Sequence, residues 1–145
     1  MSKDHKVTRE DEQTRIKNDG GYIVLGRVLG RLAITRAFGD FECKDIEVQN
    51  KETGELEIKN FIISVPEVRE IQIDPREDEF IVLASDGLFD RYSSQEVVDS
   101  VSQKLSKFQS YEKNPQKVAM QLLEETFSKG IGSDNVTILV ATFQC

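Results

Sequence analysis

The sequence contains very little of what several common kinds of active site require. Its 145 residues include one histidine, His5, and two cysteines, Cys43 and Cys145. A single histidine excludes histidine-rich metal centres and leaves no freely placed base for a Ser-His-Asp triad. Two scattered cysteines are too few for a disulfide framework or a zinc site. Any catalysis must therefore rest on carboxylates and metal ions.

Long apolar runs are also missing. No stretch approaches the roughly 20 apolar residues of a membrane-spanning helix, and the first residues lack the apolar core of a signal peptide. We therefore expect no membrane span and a cytoplasmic or nuclear location. The formal net charge of −7 disfavours non-specific nucleic-acid binding, which requires lysine and arginine to neutralise phosphates. At 145 residues the chain fits a single domain.

The first half of the sequence predicts one helix followed by extended segments. Residues Thr8 to Asp11 resemble a capping box that opens a short polar helix, and Gly20-Gly21 ends this helix as a C-terminal cap. The predicted extended segments are 22–25, 32–35 and 61–65, of which the first two form a hairpin. Residues 41–60 are polar and predict a loop or an exposed hairpin.

The second half predicts a helix pair between two buried strands. The strands are residues 80–84 and 136–141. A capping box at Ser93 starts the first helix, and Asn114-Pro115 starts the second, which ends at Gly130. The predicted apolar faces are Val97, Val98, Val101 and Leu105 on the first helix and Ala119, Leu122, Leu123 and Phe127 on the second. Hairpins followed by adjacent helices and a strand favour an antiparallel α+β fold.

Two acidic segments are the candidate sites of chemistry. Ala84 to Asp90 follows the most apolar strand, and Gly132 to Asn135 precedes the last strand. Each segment places an aspartate at the mouth of a buried strand, which is how carboxylate oxygens hold a hard cation such as Mg²⁺ or Mn²⁺. The alternative for each segment alone is an ordinary turn, with the aspartate hydrogen-bonded to its own backbone.

Six blocks of the sequence form a recognisable series. They are Ser2-Lys3-Asp4-His5-Lys6, the Arg15 to Gly30 lead-in, Gly30-Arg31-Leu32-Ala33-Ile34-Thr35-Arg36-Ala37-Phe38-Gly39-Asp40, Val65-Pro66-Glu67-Val68, Phe80 to Asp90, and Gly132-Ser133-Asp134-Asn135-Val136-Thr137. In this order, over nearly the whole chain, they resemble the C-terminal half of the protein phosphatase 2C (PP2C, or PPM) family. That family consists of metal-dependent protein serine/threonine phosphatases.

The resemblance implies both a fold and a metal centre. The chain would be a single partial phosphatase domain, part of a two-sheet antiparallel β-sandwich flanked by helix pairs. The complete family site would hold two Mg²⁺ or Mn²⁺ ions that activate water against phosphoserine or phosphothreonine of a phosphoprotein substrate. By motif match, Asp86 and Asp134 would bind metal, while Asp90 and Asn135 would orient ligands or waters.

The resemblance also assigns a substrate-bordering region. Residues of about 16–60 would form a flap beside the substrate cleft. Within it, Arg36 is interpreted as a structural ion-pair partner in preference to a phosphate ligand. His5 is interpreted as a packing and hydrogen-bonding residue in preference to a general acid.

Parts of the family pattern are not present in this sequence. The family's N-terminal half carries a D-G-H-G-G loop, an upstream glutamate, a phosphate-contacting arginine and a G-D-S-R strand. Without the aspartate that bridges both metals, we expect the chain to hold one ion weakly and to be inactive alone. Missing partner strands would expose edges that favour self-association or binding of the N-terminal half. The alternative is a non-catalytic interaction or regulatory module.

Overall fold

Four α-helices and six strands form the regular structure of residues 1–108, 114–130 and 134–143, the part of the chain that this computed structural model describes. The helices are α1 (Glu10–Asn18), α2 (Asp86–Phe89), α3 (Ser94–Leu105) and α4 (Pro115–Ser128). The strands are β1 (Ile23–Val24), β2 (Arg27–Val28), β3 (Ile46–Gln49), β4 (Leu56–Lys59), β5 (Phe80–Ala84) and β6 (Ile138–Thr142). A 3-10 turn spans Phe41–Cys43. The α+β class is confirmed.

The chain divides into two compact units, an N-terminal unit (Met1–Glu70) and a C-terminal unit (Ile71–Cys145). Within the described ranges the strands form antiparallel pairs, β1 with β2, β3 with β4, and β5 with β6. Whether these pairs belong to a two-sheet sandwich, and whether the chain is one partial domain, stay predictions. No helix in the described ranges has the length and hydropathy to cross a membrane.

Helix α1 ends as the sequence predicts but does not begin that way. Its C-terminus is a Schellman motif, in which the Gly20 and Gly21 N–H groups donate to the carbonyls of Lys17 (3.0 Å) and Ile16 (2.8 Å). Gly20 has a φ of +86°, a conformation that suits glycine. At the other end, Arg9 is the N-cap and no side chain caps it. The capping box predicted at Thr8 is therefore wrong.

The first hairpin is tighter than the sequence predicts. Strand β1 pairs with β2, in the register Ile23 to Val28, so residues between the two predicted strands supply the second strand. Residues 32–35 make only isolated bridges, from Leu32 to the nearby Val28 and from Ile34 to the distant Lys6. The Thr35 N–H donates to the His5 carbonyl at 2.9 Å. The predicted strand at 32–35 is wrong, whereas the predicted hairpin within 41–60 exists as β3 and β4.

The N-terminal unit has a small apolar core under α1 and the two hairpins. Its buried members are Val7, Ile16, Val28, Cys43, Phe61 and Ile62. Cys43 is a free, buried thiol. Gly21 lies directly against this core, because a Cβ at that position would be 2.5 Å from Cδ1 of Phe61.

The C-terminal unit packs the α3–α4 pair on one face of the β5–β6 pair. Its buried core consists of Leu88, Tyr92, Val97, Val101, Leu105, Val118 and Leu122. The predicted starts of both helices are confirmed. Ser93 and Glu96 form a reciprocal capping box on α3, and the Asn114 side chain accepts a hydrogen bond of 2.9 Å from the Lys117 N–H on α4.

Three predicted features of the C-terminal unit are wrong in detail. The strands β5 and β6 are buried on one face only, because Leu83 and Leu139, which lie opposite each other, are 55% and 54% exposed. Val98 is exposed on α3. On α4 the buried residues are Val118, Leu122 and Thr126, in place of the predicted face through Ala119 and Phe127.

Candidate functional site

The two acidic segments lie at the same end of the β5–β6 pair. Ala84, the last residue of β5, is paired with Ile138, the first residue of β6. Asp86 begins α2 two residues after β5, and Asn135 lies three residues before β6. The antiparallel register therefore brings the segment after β5 beside the segment before β6. Gly132 and Ser133, which belong to the predicted second segment, lie outside the described residues.

Ser85 joins the first acidic segment to the second through one hydrogen bond with Asn135 and two with Thr137. Its N–H donates to the Thr137 carbonyl at 3.0 Å, and its hydroxyl donates to the Asn135 carbonyl at 3.1 Å. The Thr137 N–H in turn donates to the Ser85 hydroxyl oxygen at 3.0 Å. Because the hydroxyl both donates and accepts, it continues the pairing of β5 with β6 past the end of the regular ladder.

Gly87 brings the backbones of the two segments into direct contact. A Cβ at this position would lie 2.4 Å from the carbonyl oxygen of Asn135. Since a side-chain carbon does not approach a backbone oxygen so closely, only glycine fits without a shift of one segment. Gly87 is buried, and it is followed by Leu88, which is completely buried in the core. The first acidic segment is thus anchored to the core beside the second.

The predicted metal-binding side chains face outward from this anchored backbone. Asp86, Asp90, Asp134 and Asn135 are all exposed. Asp90 closes α2, with its N–H donating to the Asp86 carbonyl at 2.8 Å. Oδ1 of Asp134 accepts a hydrogen bond of 2.8 Å from the Asn135 N–H, which is the local turn contact that the sequence left open. Exposed carboxylates on a fixed backbone fit a hard cation that keeps part of its water shell.

Two carboxylates are fewer than a complete cation site. Within residues 1–108, 114–130 and 134–143, no group of three or more histidine, cysteine, aspartate or glutamate side chains is arranged to hold a metal ion. The assignment of Asp86 and Asp134 as ligands, and of Asp90 and Asn135 as orienting groups, stays a prediction.

Arg36 belongs to the N-terminal unit, where it pairs with Glu12. Its Nη2 and Nε donate to Oε1 of Glu12 at 2.5 Å and 3.0 Å, and its Nη1 donates to the Val65 carbonyl at 3.0 Å. Arg15 donates to the other Glu12 oxygen at 2.9 Å. The structure therefore gives Arg36 the ion-pair partner that its sequence context favoured. That Arg36 borders a substrate cleft stays a prediction.

Glu12 is a buried carboxylate between two guanidinium groups, with only 1% of its surface exposed. Burial alone would raise its pKa. Hydrogen bonds from Arg36, Arg15 and Thr35 outweigh this effect and lower the pKa to about 2, from an ordinary value of 4.5. Glu12 is therefore ionised at neutral pH, and it fixes the position of Arg36.

His5 has a structural position in the same unit. Its backbone carbonyl accepts hydrogen bonds from the Thr35 N–H at 2.9 Å and from the Thr35 hydroxyl at 3.0 Å. Its Nε2 lies 3.5 Å from a carboxylate oxygen of Glu67. These hydrogen bonds are made by the His5 backbone, and Nε2 is buried without a hydrogen-bond partner among the described residues. The role of the His5 side chain stays a prediction.

The fold is that of a known class of phosphatases. A crystal structure of a phosphatase from a pathogenic strain of Toxoplasma gondii matches 99% of this chain and 42% of its own chain, with a TM-score of 0.75 at 26% identity. The model of the family described as "Protein phosphatase 2C" matches residues 1–135 of this chain. This chain belongs to the protein phosphatase 2C family, and the resemblance seen in the sequence is confirmed at that level.

Curated relatives have the same family name and are longer. "Probable protein phosphatase 2C 6" of Paramecium tetraurelia is 35% identical over 144 residues, which cover 99% of this chain and 46% of that protein. "Protein phosphatase 2C homolog 2" of Schizosaccharomyces pombe is 39% identical over 144 residues, covering 99% of this chain and 37% of that protein. The chain thus spans less than half the length of these relatives. Its place in the C-terminal half stays a prediction.

Two residues important to this geometry are not among the predicted site residues. Ser85 lies inside the fifth block, and its position between an apolar strand and Asp86 is the signal that the sequence offers. Glu12 lies four residues before Ile16 and so shares its helix face, a pattern that can indicate a buried carboxylate.

Proposed function

We propose that this chain is part of a metal-dependent protein serine/threonine phosphatase and supplies two of its metal ligands, Asp86 and Asp134. The substrate class is phosphoserine and phosphothreonine in phosphoproteins. The observation that carries the proposal is the join between the two acidic segments, through Ser85 and Gly87 against Asn135. Membership of the protein phosphatase 2C family supports the same assignment.

The residues of this chain have distinct parts in the proposed site. Asp86 and Asp134 would bind Mg²⁺ or Mn²⁺ through carboxylate oxygens, and Asp90 and Asn135 would orient ligands or waters by hydrogen bonds. When bound, such cations neutralise charge on a phosphoryl group and lower the pKa of water. Ser85 and Gly87 would keep the two ligand-bearing segments at a fixed separation.

We propose further that this chain alone is inactive. Its described residues supply two proposed metal ligands, Asp86 and Asp134, and the chain spans 46% and 37% of two longer relatives. Additional ligands would come from polypeptide beyond this sequence, in the region that corresponds to the family's N-terminal half. Two carboxylates without a bridging third would hold a single ion with low affinity.

Exposed apolar side chains favour a second candidate, a non-catalytic module that binds another polypeptide. Leu25, Phe38, Phe41 and Val68 are between 77% and 95% exposed in the N-terminal unit. The β5–β6 pair adds the exposed Leu83 and Leu139. A module of this kind has no requirement for the carboxylates of Asp86 and Asp134, so metal binding separates the two candidates.

The test measures Mn²⁺ binding by titration calorimetry and hydrolysis of an aryl phosphate, with a chelator control. We expect binding in the millimolar range by the unaltered chain, its loss in Asp86→Asn and in Asp134→Asn, and no turnover. Asp99→Asn, on the exposed side of α3, is the matched control and should bind like the unaltered chain. Chelator-sensitive turnover that Asp86→Asn abolishes would contradict the proposal that the chain alone is inactive, but it would support the assignment of Asp86 as a metal ligand. Equal Mn²⁺ binding by all variants would contradict the ligand assignment and favour the non-catalytic module.

A further inference from the structure

Arg91 connects the first acidic segment to the end of α4. It is half-buried directly after Asp90, and its Nη1 donates to the carbonyls of Thr126 at 2.9 Å and Gly130 at 2.6 Å. The Thr126 carbonyl is in the last turn of a helix, where carbonyls lack a helical partner. The Gly130 N–H donates to Phe127 at 3.5 Å instead. Arg91 therefore supplies the hydrogen bond that the helix end does not make for itself.

Tyr92 makes a second contact beside that of Arg91. Its ring is almost completely buried, with 8% of the residue exposed, and belongs to the core of the C-terminal unit. The Lys129 ammonium lies 3.6 Å from the centroid of this ring, within the range of a cation–π interaction. Arg91 and Tyr92, which follow the first acidic segment, thus contact Gly130 and Lys129, which follow α4.

These contacts and those of Ser85 act on opposite sides of Asp134. Gly130, held by Arg91, precedes Asp134 by four residues. Asn135, held by Ser85 and Gly87, follows it directly. The stretch from Ser85 to Arg91 also carries Asp86 and Asp90. The segment from Ser85 to Arg91 therefore carries two acidic side chains of the site. It is also hydrogen-bonded to residues on both sides of Asp134, the third acidic side chain.

We infer that Arg91 is a positioning residue, which sets the placement of Asp134 relative to Asp86 for cation binding. The inference rests on the proposed function. An arginine suits this role because its planar guanidinium stays charged and carries several donors. Its positive charge is also favourable beside the carbonyl end of α4.

The test compares three variants of the full chain with the unaltered protein. Arg91→Ala removes both hydrogen bonds, and Arg91→Lys keeps the charge and one donor group. Val101→Ala destabilises the core of the C-terminal unit without removing a hydrogen bond of Arg91. The readouts are Mn²⁺ affinity by calorimetry and hydrogen–deuterium exchange of the amides of residues 134–138. We expect Arg91→Ala to weaken Mn²⁺ binding by about 10-fold, as for other groups that orient metal ligands. Amide exchange should rise by about 10-fold, as for loss of a hydrogen bond from a charged group.

The controls separate positioning from general stability. Arg91→Lys should recover most of the affinity, and Val101→Ala should lower the thermal midpoint without a selective change at residues 134–138. Unchanged exchange at residues 134–138 in Arg91→Ala would overturn the inference alone, as would an affinity loss that Val101→Ala reproduces in full. Absence of Mn²⁺ binding by the unaltered chain would overturn the proposed function, and the inference with it, even if the exchange changed.

Discussion

The two units of this molecule hold their chains together by different means. The C-terminal unit uses regular structure, with two capped helices packed on a five-residue strand pair. The N-terminal unit has one nine-residue helix and strand pairs of two and four residues. Its irregular segments are joined by arginine side chains. Arg15 donates to the carbonyls of Thr35 and Phe61, each at 3.2 Å.

Buried charge shows the same contrast. In the C-terminal unit, Lys104 is 7% exposed and bonds to Glu125 at 2.7 Å. Glu125 has half of its side chain in solvent. In the N-terminal unit, Glu12 is buried, and its partners Arg15 and Arg36 keep 23% and 17% of their side chains exposed. Removing the Glu125 charge would leave the buried Lys104 with the Ser100 hydroxyl at 2.6 Å, whereas removing the Glu12 charge would affect two arginines at once. Polar bonding can therefore replace regular structure, but the unit then depends on single residues.

The largest effect we expect is from Glu12→Gln. The amide keeps the shape of the carboxylate but not its charge, so two half-buried guanidinium groups lose the counter-charge that they share, and Arg36 keeps only the more distant Glu67 at 3.9 Å. The free energy of unfolding of the N-terminal unit should fall by about 3 kcal/mol. Urea denaturation with residue-resolved hydrogen exchange would measure each unit separately. Glu10→Gln, an exposed change in the same helical turn, should alter stability by less than about 0.5 kcal/mol. A loss below about 1 kcal/mol in Glu12→Gln would mean that the arginine contacts to backbone carbonyls suffice.

The same carboxylate gives the N-terminal unit a pH dependence. The pKa of Glu12 is lowered from 4.5 to about 2 in the folded chain, so its stabilising contribution is complete above pH 4.5. It is lost as the pH falls from 4.5 toward 2, and it amounts to about 3 kcal/mol over this range. Acid unfolding of Glu12→Gln should lack this component. An identical pH dependence in the variant would contradict the lowered pKa.

A smaller effect is expected where glycine allows close backbone contact. In Gly87→Ala the new Cβ would meet the Asn135 carbonyl, and a backbone oxygen can move only with its whole segment. We expect about 2 kcal/mol of destabilisation of the C-terminal unit, together with weaker Mn²⁺ binding in calorimetry. Gly21→Ala is the matched change, since its Cβ would meet the Phe61 ring. It should destabilise the N-terminal unit and leave Mn²⁺ binding unchanged, whereas a loss of binding in both variants would mean that Gly87 acts only through stability.

Local chemistry could be predicted from the sequence, and long-range pairing could not. The strand at residues 80–84 and the helix starts at Ser93 and Asn114 depend on neighbouring residues, and all three predictions are confirmed. The predicted strand at 32–35 failed because its partners, such as His5, are remote in sequence. The acidic segments were found, but the hydroxyl of Ser85 that joins them acts across 50 residues.

The error in the predicted apolar face of α4 arises because a polar side chain can be buried when it forms a hydrogen bond within its own helix. On α4 the predicted apolar face is rotated by about one residue from the observed one. Thr126 is completely buried, because its hydroxyl donates to the Leu122 carbonyl at 2.6 Å within the same helix. Phe127, which hydrophobicity alone would bury, is 55% exposed. The sequence also does not identify Glu12 as the partner of Arg36, because a glutamate on a polar helix is normally solvated.

The smallest effect we expect distinguishes the two helix starts that look alike in sequence. Ser93 accepts from the Glu96 N–H, and Glu96 accepts from the Ser93 N–H at 2.7 Å, so Ser93→Ala should destabilise the C-terminal unit by about 1 kcal/mol. Thr8→Ala should change the N-terminal unit by less than about 0.5 kcal/mol, because α1 has no side-chain cap.

Thermal unfolding of the two variants, beside the unaltered chain, is sufficient to compare these helix starts. The physical reason for the difference is the residue three positions after each candidate cap. After Ser93 this residue is Glu96, which bonds back to the cap, whereas after Thr8 it is Asp11, whose carboxylate is occupied by Arg9. Equal destabilisation by both variants would show that Thr8 caps α1 in solution. The Arg9–Asp11 pair and the cap would then not compete for the same carboxylate.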